Sequence, residues 1–369
     1  VGGDSLLIAQ VVTKMKKGIP VFENVSWDEL MKNVLNNPTV EGMGKLVHDN
    51  VSIKEYQTKE KTYSFLHIYK KAKERKRVQA FFHTGTGRLI EYKPLVAALK
   101  EYCDPYTELV GFTYGDYEEF MAVPIESLIK ERARMYAECL IELNADEYDL
   151  VGYCVGGFFA LEAARIMLEN GKKVRLIEIS ARLCLHKVSN QLLMEYVYGQ
   201  SIGIDMSKTI YSMDNDLLHE ALCEILNSEH RNIKNSELTS LSGKYKELGN
   251  VFTNLLDLTH EERLRAIFDS LINPDFNEDQ STMSMLNVLY GIFDHTFQAM
   301  MSYRPEGIYV GNVLYFDPVE GVKNFFPDTA KNLPWKDIVL GNLEVKEIPG
   351  GHGTAINEEN YKNVIEYFL

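Results

Sequence analysis

The chain has 369 residues, 45% of them hydrophobic and 25% charged, and a formal net charge of −14. This composition is that of a globular chain able to bury a sizeable core, and at roughly 150 residues per domain the length suggests two domains. The acidic balance excludes an electrostatic nucleic-acid footprint and attraction to anionic membranes, and no run of about 18 apolar residues offers a membrane-spanning helix. The cysteines Cys103, Cys139, Cys154, Cys184 and Cys223 are scattered, with no C-x-x-C pair and no ligand spacing to a histidine. They imply neither a disulfide framework nor a metal site, and they fit a reducing, cytoplasmic compartment. The first residues, Val1-Gly2-Gly3-Asp4-Ser5, lack a Met and read as a piece of a longer polypeptide whose true N-terminus is not legible.

Residues 1–48 read as short helices. Leu6, Leu7, Ile8, Val11, Val12 and Met15 share one helical face behind Asp4-Ser5. Ser26 and Glu29 have capping-box spacing, and Thr39 caps a further helix after Asn37-Pro38. Residues 49–76 are polar and lysine-rich and read as a linker, with Leu66 to Tyr69 as an edge strand. From Val78 the texture alternates. Strands are expected at Val78–Phe82, Leu109–Phe112, Tyr148–Gly152 and Val174–Ile179, with helices at Pro94–Tyr102, Ile125–Asn144 and Phe158–Asn170. That order predicts an α/β fold with a mostly parallel sheet and right-handed crossovers. Residues 186–303 then read as helix after helix with no convincing strand, a large lid inserted before strands at Asn312–Phe316 and Leu343–Ile348. A last helix is expected from Glu358 to Leu369.

Gly152-Tyr153-Cys154-Val155-Gly156-Gly157 falls between a strand and a helix, the context of an α/β-hydrolase nucleophile elbow with cysteine in the central place. The glycines are needed because side chains there would meet the sheet and the helix. A thiol at a helix N-terminus is expected to gain thiolate character from the dipole, and Val155 would offer its backbone N–H to an oxyanion. His352, in Pro349-Gly-Gly-His352 after the last strand, is in the chain order and on the loop of the general base. His83, ending the first strand of the alternating pattern, would position Gly85 or line the pocket. The orienting acid is open. Ser180 stands where one common arrangement has aspartate, and Asp317 follows the next strand. Glu320 is a further candidate, Glu178 should be buried, and a cysteine nucleophile tolerates having no acid at all.

At these residues the chain resembles the thioesterase domains that end nonribosomal peptide synthetases and polyketide synthases. Val78 to Gly87 is similar to the family's first strand and oxyanion loop, Gly152 to Gly157 to its elbow, and Pro349 to His352 to its histidine loop. Phe297 to Phe316 is similar to its lid exit and following strand. The resemblance implies oxyanion donors at Val155 and at Gly85 or Thr86, and catalysis by Cys154, His352 and Asp317. Gly2-Gly3-Asp4-Ser5-Leu6 resembles the attachment motif of carrier proteins, so the rear of a carrier is expected over 1–48, with 4′-phosphopantetheine on Ser5 at a helix N-terminus. The thioesterase would then occupy 77–369. The implied partners are upstream synthetase modules, a phosphopantetheinyl transferase and a carrier-bound acyl or peptidyl substrate. Two departures stand out: most members carry Ser where Cys154 stands, and many carry Asp where Ser180 stands. The implied activity is release of the carrier-bound chain through a Cys154 acyl-enzyme, by hydrolysis or cyclisation. An editing hydrolase and a catalytically inactive docking module are the rival readings. Product, carrier type and oligomeric state are not legible.

Overall fold

The structure, a computed structural model, describes residues 63–184, 186–227, 232–269, 280–320 and 335–369, with Val12, Lys14, Met15, Leu30 and Val34 as isolated positions. Those positions are helical, and all but Lys14 are buried. The rest of the expected carrier segment, Ser5 included, and linker residues 49–62 lie outside the described residues.

The sheet begins with β1 (Leu66–Lys70), β2 (Arg77–Phe82), β3 (Thr107–Phe112), β4 (Glu147–Tyr153) and β5 (Lys173–Ile179). Strands β6 (Lys187–Ser189) and β7 (Asn232–Lys234) form a separate parallel ladder within the lid. Strands β8 (Val313–Pro318) and β9 (Leu343–Ile348) complete the main sheet, whose order is β1-β3-β2-β4-β5-β8-β9. Only β1 is antiparallel, so residues 66–70, expected within the linker, are hydrogen-bonded into the sheet edge. The other neighbouring pairs are parallel. Their carboxyl ends therefore converge on one edge, where ligands of open α/β sheets bind.

Alternation along each strand feeds two cores. Val78, Ala80 and Phe82 of β2, Tyr148 and Leu150 of β4 and Tyr315 of β8 face α3 (Leu128–Leu143) and α4 (Gly156–Glu169). Phe81, Val151, Ile177 and Phe316 face the opposite way, toward α1 (Lys93–Tyr102) and the C-terminal turns. Each fully buried side chain of this size stabilises the fold by about 1.5–3 kcal/mol. Between β3 and α3 lies α2 (Tyr117–Met121), its N-cap Asp116 accepting from Glu119 N–H. The expected 125–144 helix therefore starts later, at Leu128.

The lid comprises α5 (Gln191–Ser201), α6 (Asn215–Asn227), α7 (Asn235–Thr239), α8 (Lys246–Leu256), α9 (His260–Asp269) and α10 (Gln280–Ser302), and α11 (Trp335–Ile338) follows β8. A buried carboxylate pins it: Glu195 on α5 accepts from Arg263 Nε at 2.7 Å, pairs with His260 Nδ1 at 2.6 Å and receives Tyr211 Oη–H.

The last helix is not formed. Residues 361–363 and 365–367 make two short 3₁₀ turns instead. Asparagine side chains there bond backbone that a helix would use: Asn360 Nδ2 donates to Thr354 O at 2.9 Å, and Asn363 Nδ2 to Asn360 O at 2.9 Å. The chain end is tied down elsewhere. Gln79 Nε2 donates to Phe368 O at 2.7 Å, and Arg175 donates to Tyr367 O at 2.9 Å while pairing with buried Asp149.

Candidate active site

The chain leaves β4 through Cys154, whose φ of 59° lies in the left-handed region, and enters α4 directly. A non-glycine residue held there is strained, and such strain collects at functional turns. Packing enforces it. A Cβ on Gly152 would run into Gly157 Cα, and one on Gly156 would lie 2.6 Å from Phe82 O. One on Gly157 would strike Glu178 Oε2 and Ala181 Cβ. Backbone hydrogen bonding from Val155 and Gly85 holds the Cys154 thiol's pKa down, so both N–H groups are turned toward the sulfur. A carbonyl oxygen attached to the carbon that this sulfur attacks falls within reach of the same donors.

The thiol is not pre-ionised. Burial pushes it up to about 12, outweighing the Val155 N–H bond, while the Glu91 carboxyl also raises it and the Gly85 N–H bond opposes. The expected thiolate from the helix dipole is thus overturned by desolvation. Attack then needs a base to take the proton during the step.

His352 lies on the loop after β9, held against the residues that border Cys154. Its Nδ1 lies 2.8 Å from Ser180 Oγ, its ring centroid is 5.4 Å from that of Tyr153, and Tyr153 Oη–H donates to its carbonyl. Ser180 sits one strand over from the elbow, where Cys154 N–H bonds Ile179 O at 3.1 Å, and Ser180 too is left-handed, with φ 48°. Burial, and then the Arg182 guanidinium, push the imidazole down to about 4. At neutral pH it is uncharged, and its Nδ1 shares one hydrogen bond with Ser180 Oγ that either group can donate.

Asp317 is placed on Arg182, and Ser180 is on the Nδ1 of the histidine. Glu320 is exposed and meets the histidine loop through its backbone N–H, 3.1 Å from Gly350 O. Glu178 is fully buried beneath the start of α4 with both oxygens unpartnered, and burial holds its pKa well up. His83 lies apart, donating Nδ1–H to Thr84 O at 2.9 Å among Phe120, Tyr136 and Phe159.

The sequence profile of the thioesterase domain family matches residues 80–368. The chain belongs to that family. It is a thioesterase of the α/β-hydrolase fold. Pyochelin synthetase PchF of Pseudomonas aeruginosa is 24% identical to it over 379 residues, an alignment that spans 97% of this chain and 20% of PchF. The thioesterase thus spans about a fifth of the length of that curated relative. Among solved structures, a four-domain nonribosomal peptide synthetase bound to AMP and glycine superposes with a TM-score of 0.57 at 16% identity, covering 98% of this chain and 23% of that one. The Vlm2 thioesterase domain gives 0.48 at 15% identity, covering 82% and 95%.

The thioesterase offers no group of three or more His, Cys, Asp or Glu suited to a metal among its described residues, and none of its five cysteines forms a disulfide there. No described helix is long and apolar enough to cross a membrane. Sequence reasoning missed Tyr153, Arg182 and Ser180 as the partner of Nδ1. The Tyr next to the elbow cysteine was in plain view, but nothing local assigns it a carbonyl on a loop 199 residues away.

Proposed function

We propose that the thioesterase releases a carrier-bound acyl or peptidyl thioester through a Cys154 acyl-enzyme, at the end of a nonribosomal peptide or polyketide assembly line. The observation that carries this reading is the strained Cys154 at the start of α4, with the Val155 and Gly85 N–H groups turned toward its thiol and His352 anchored on Ser180 and Tyr153, the neighbours of the elbow. The assembly-line setting is supported by the carrier-like Gly2-Gly3-Asp4-Ser5-Leu6 and by the likeness to PchF. On this reading residues 1–48 are the rear of the carrier. A 4′-phosphopantetheine on Ser5 would supply the thiol that holds the acyl group.

The chemistry follows from the protonation states. His352 Nε2 takes the Cys154 proton as the sulfur adds to the thioester carbonyl. The N–H groups of Val155 and Gly85 hold the resulting oxyanion. Collapse breaks the bond to the carrier sulfur, which leaves with the proton from His352. In the second half His352 deprotonates water, or a nucleophile within the acyl chain, and the tetrahedral adduct expels Cys154, which recovers its proton. Ser180 holds Nδ1 in place but brings no charge. The imidazolium is therefore short-lived, which suits a thiol better than an alcohol.

The test is intact-protein mass spectrometry of the full chain incubated with an acyl-N-acetylcysteamine thioester. A mass gain of one acyl group, absent in Cys154→Ala and slowed in His352→Ala, is expected. The released product separates hydrolysis from cyclisation. If no adduct and no turnover appear across several acyl chains, and Cys154 alkylates no faster than the other cysteines, the site is an inactive docking module.

A further inference from the structure

Between β2 and α1 the chain makes the turn Thr84-Gly85-Thr86-Gly87 and then a 3₁₀ turn, Ile90–Tyr92. Gly85, whose N–H is turned toward the Cys154 thiol and lowers its pKa, is flanked by two threonines, and both reach the same acceptor. Thr84 Oγ1 donates to Glu91 Oε1 at 2.7 Å and Thr86 Oγ1 to the same atom at 3.4 Å, with the two hydroxyls 3.1 Å apart. Glu91 itself rests on a fixed platform. The next residue, Tyr92, is fully buried, and its hydroxyl donates to Phe82 O at 2.9 Å and reaches Val151 O at 3.4 Å, the ends of β2 and β4. The other side of the turn is closed by the lid helix α10. Phe297 fills the space a Gly85 side chain would need, and Ile292 lies 2.6 Å from where a Gly87 Cβ would be. Glu91 Oε2 is buried with no hydrogen-bond partner. A half-satisfied buried carboxyl is costly and calls for an explanation.

We propose that Glu91 is a positioning residue of the thioesterase: by gripping the hydroxyls of Thr84 and Thr86, it aims the Gly85 N–H at the oxyanion formed on Cys154. This rests on the acyl-enzyme reading above. Burial raises the Glu91 pKa, which favours the neutral acid, the form that does not repel a developing negative charge beside it. Glutamine keeps an acceptor oxygen at Oε1 and no charge, so Glu91→Gln retains the grip. Leucine removes the acceptor at similar volume. Thr84→Val with Thr86→Val removes the donors and leaves Glu91 in place.

Two rates on the full chain separate positioning from structure. Acylation by the N-acetylcysteamine thioester passes through an oxyanion, whereas alkylation of Cys154 by iodoacetamide does not and feels the Gly85 N–H only through ionisation of the thiol, a smaller effect. Glu91→Leu and the double threonine variant are expected to slow acylation by about 10²-fold, the cost of one lost oxyanion donor, with the apparent KM and the alkylation rate within about threefold of the parent. Glu91→Gln is expected to restore acylation to within about threefold. The inference is overturned if Glu91→Leu acylates normally, if acylation and alkylation fall together, or if Glu91→Gln is as slow as Glu91→Leu. A parent chain that alkylates at Cys154 but never acylates would instead defeat the acyl-enzyme reading itself.

Discussion

The two sides of Cys154 are built differently. On the proposed oxyanion side the donors would be backbone, Val155 and Gly85 N–H, set by a glycine-enforced turn and by the loop whose threonines bond Glu91. On the base side every partner is a side chain from a distant segment: Ser180 after β5, Arg182 beyond it, Asp317 in β8 and His352 after β9. Backbone geometry tolerates little change and announces itself in glycine spacing. A side-chain relay can exchange one member for another, here a serine for a carboxylate, while the histidine stays in place.

This contrast is sharpest at the glycines. Gly152→Ala puts a methyl group on the Gly157 backbone, and Gly157→Ala puts one on Glu178 and Ala181. Overpacking of this kind costs about 1–3 kcal/mol, and more where backbone cannot yield. Urea unfolding should show Gly152→Ala as the more damaging change. Normal stability in both would mean that sterics do not dictate the elbow.

Each side also holds a histidine at about 4, His83 near the oxyanion loop and His352 near Ser180, burial being the main cause in both. A folded value below the ordinary 6.5 means the unfolded chain binds more protons between these limits. Stability is therefore complete above about 6.5 and lost as pH falls toward 4, by something on the order of 3 kcal/mol for fully buried His83. Urea midpoints at pH 7, 5.5 and 4.5 should fall in that order, and His83→Gln should flatten the slope. A slope unchanged in that variant would take His83 out of the account.

The base side is probed by activity. Ser180→Ala removes one net hydrogen bond of about 1 kcal/mol and should cost about five- to tenfold in kcat. Ser180→Asp places a carboxylate on Nδ1, favours the imidazolium and should move the acidic limb of the pH–rate profile to higher pH. A limb that stays put would show that Ser180 does not address His352. The smallest effect is expected from Asp317→Asn. A true orienting acid is worth about 10⁴ in kcat, but Asp317 only neutralises Arg182, so its loss should stay within about tenfold. A loss near 10⁴ would mean that Asp317 reaches His352 during turnover.

Much of the fold was legible because local signals are redundant. Short apolar runs marked the central strands β2, β3, β4, β5 and β8, β1 was legible only as an edge strand in a polar stretch, and Gly-x-Cys-x-Gly between strand and helix marked the elbow. The three-residue strands β6 and β7 were not legible, since three residues carry no usable period and pair across 45 positions of chain, Lys187 with Asn232. The final helix failed for the opposite reason: its apolar spacing was visible, but its asparagines bond the backbone locally.

By itself the sequence determined the parallel sheet and the strand-to-helix elbow that carries Cys154, because strand periodicity and steric exclusion at glycines act within a few residues. Tertiary structure alone decided the protonation states and the partner of His352. A pKa follows from burial and from charges brought together across the fold, and which side chain meets Nδ1 depends on contacts between distant segments: Ser180, held at a left-handed φ of 48°, lies on His352, while Asp317 pairs with Arg182.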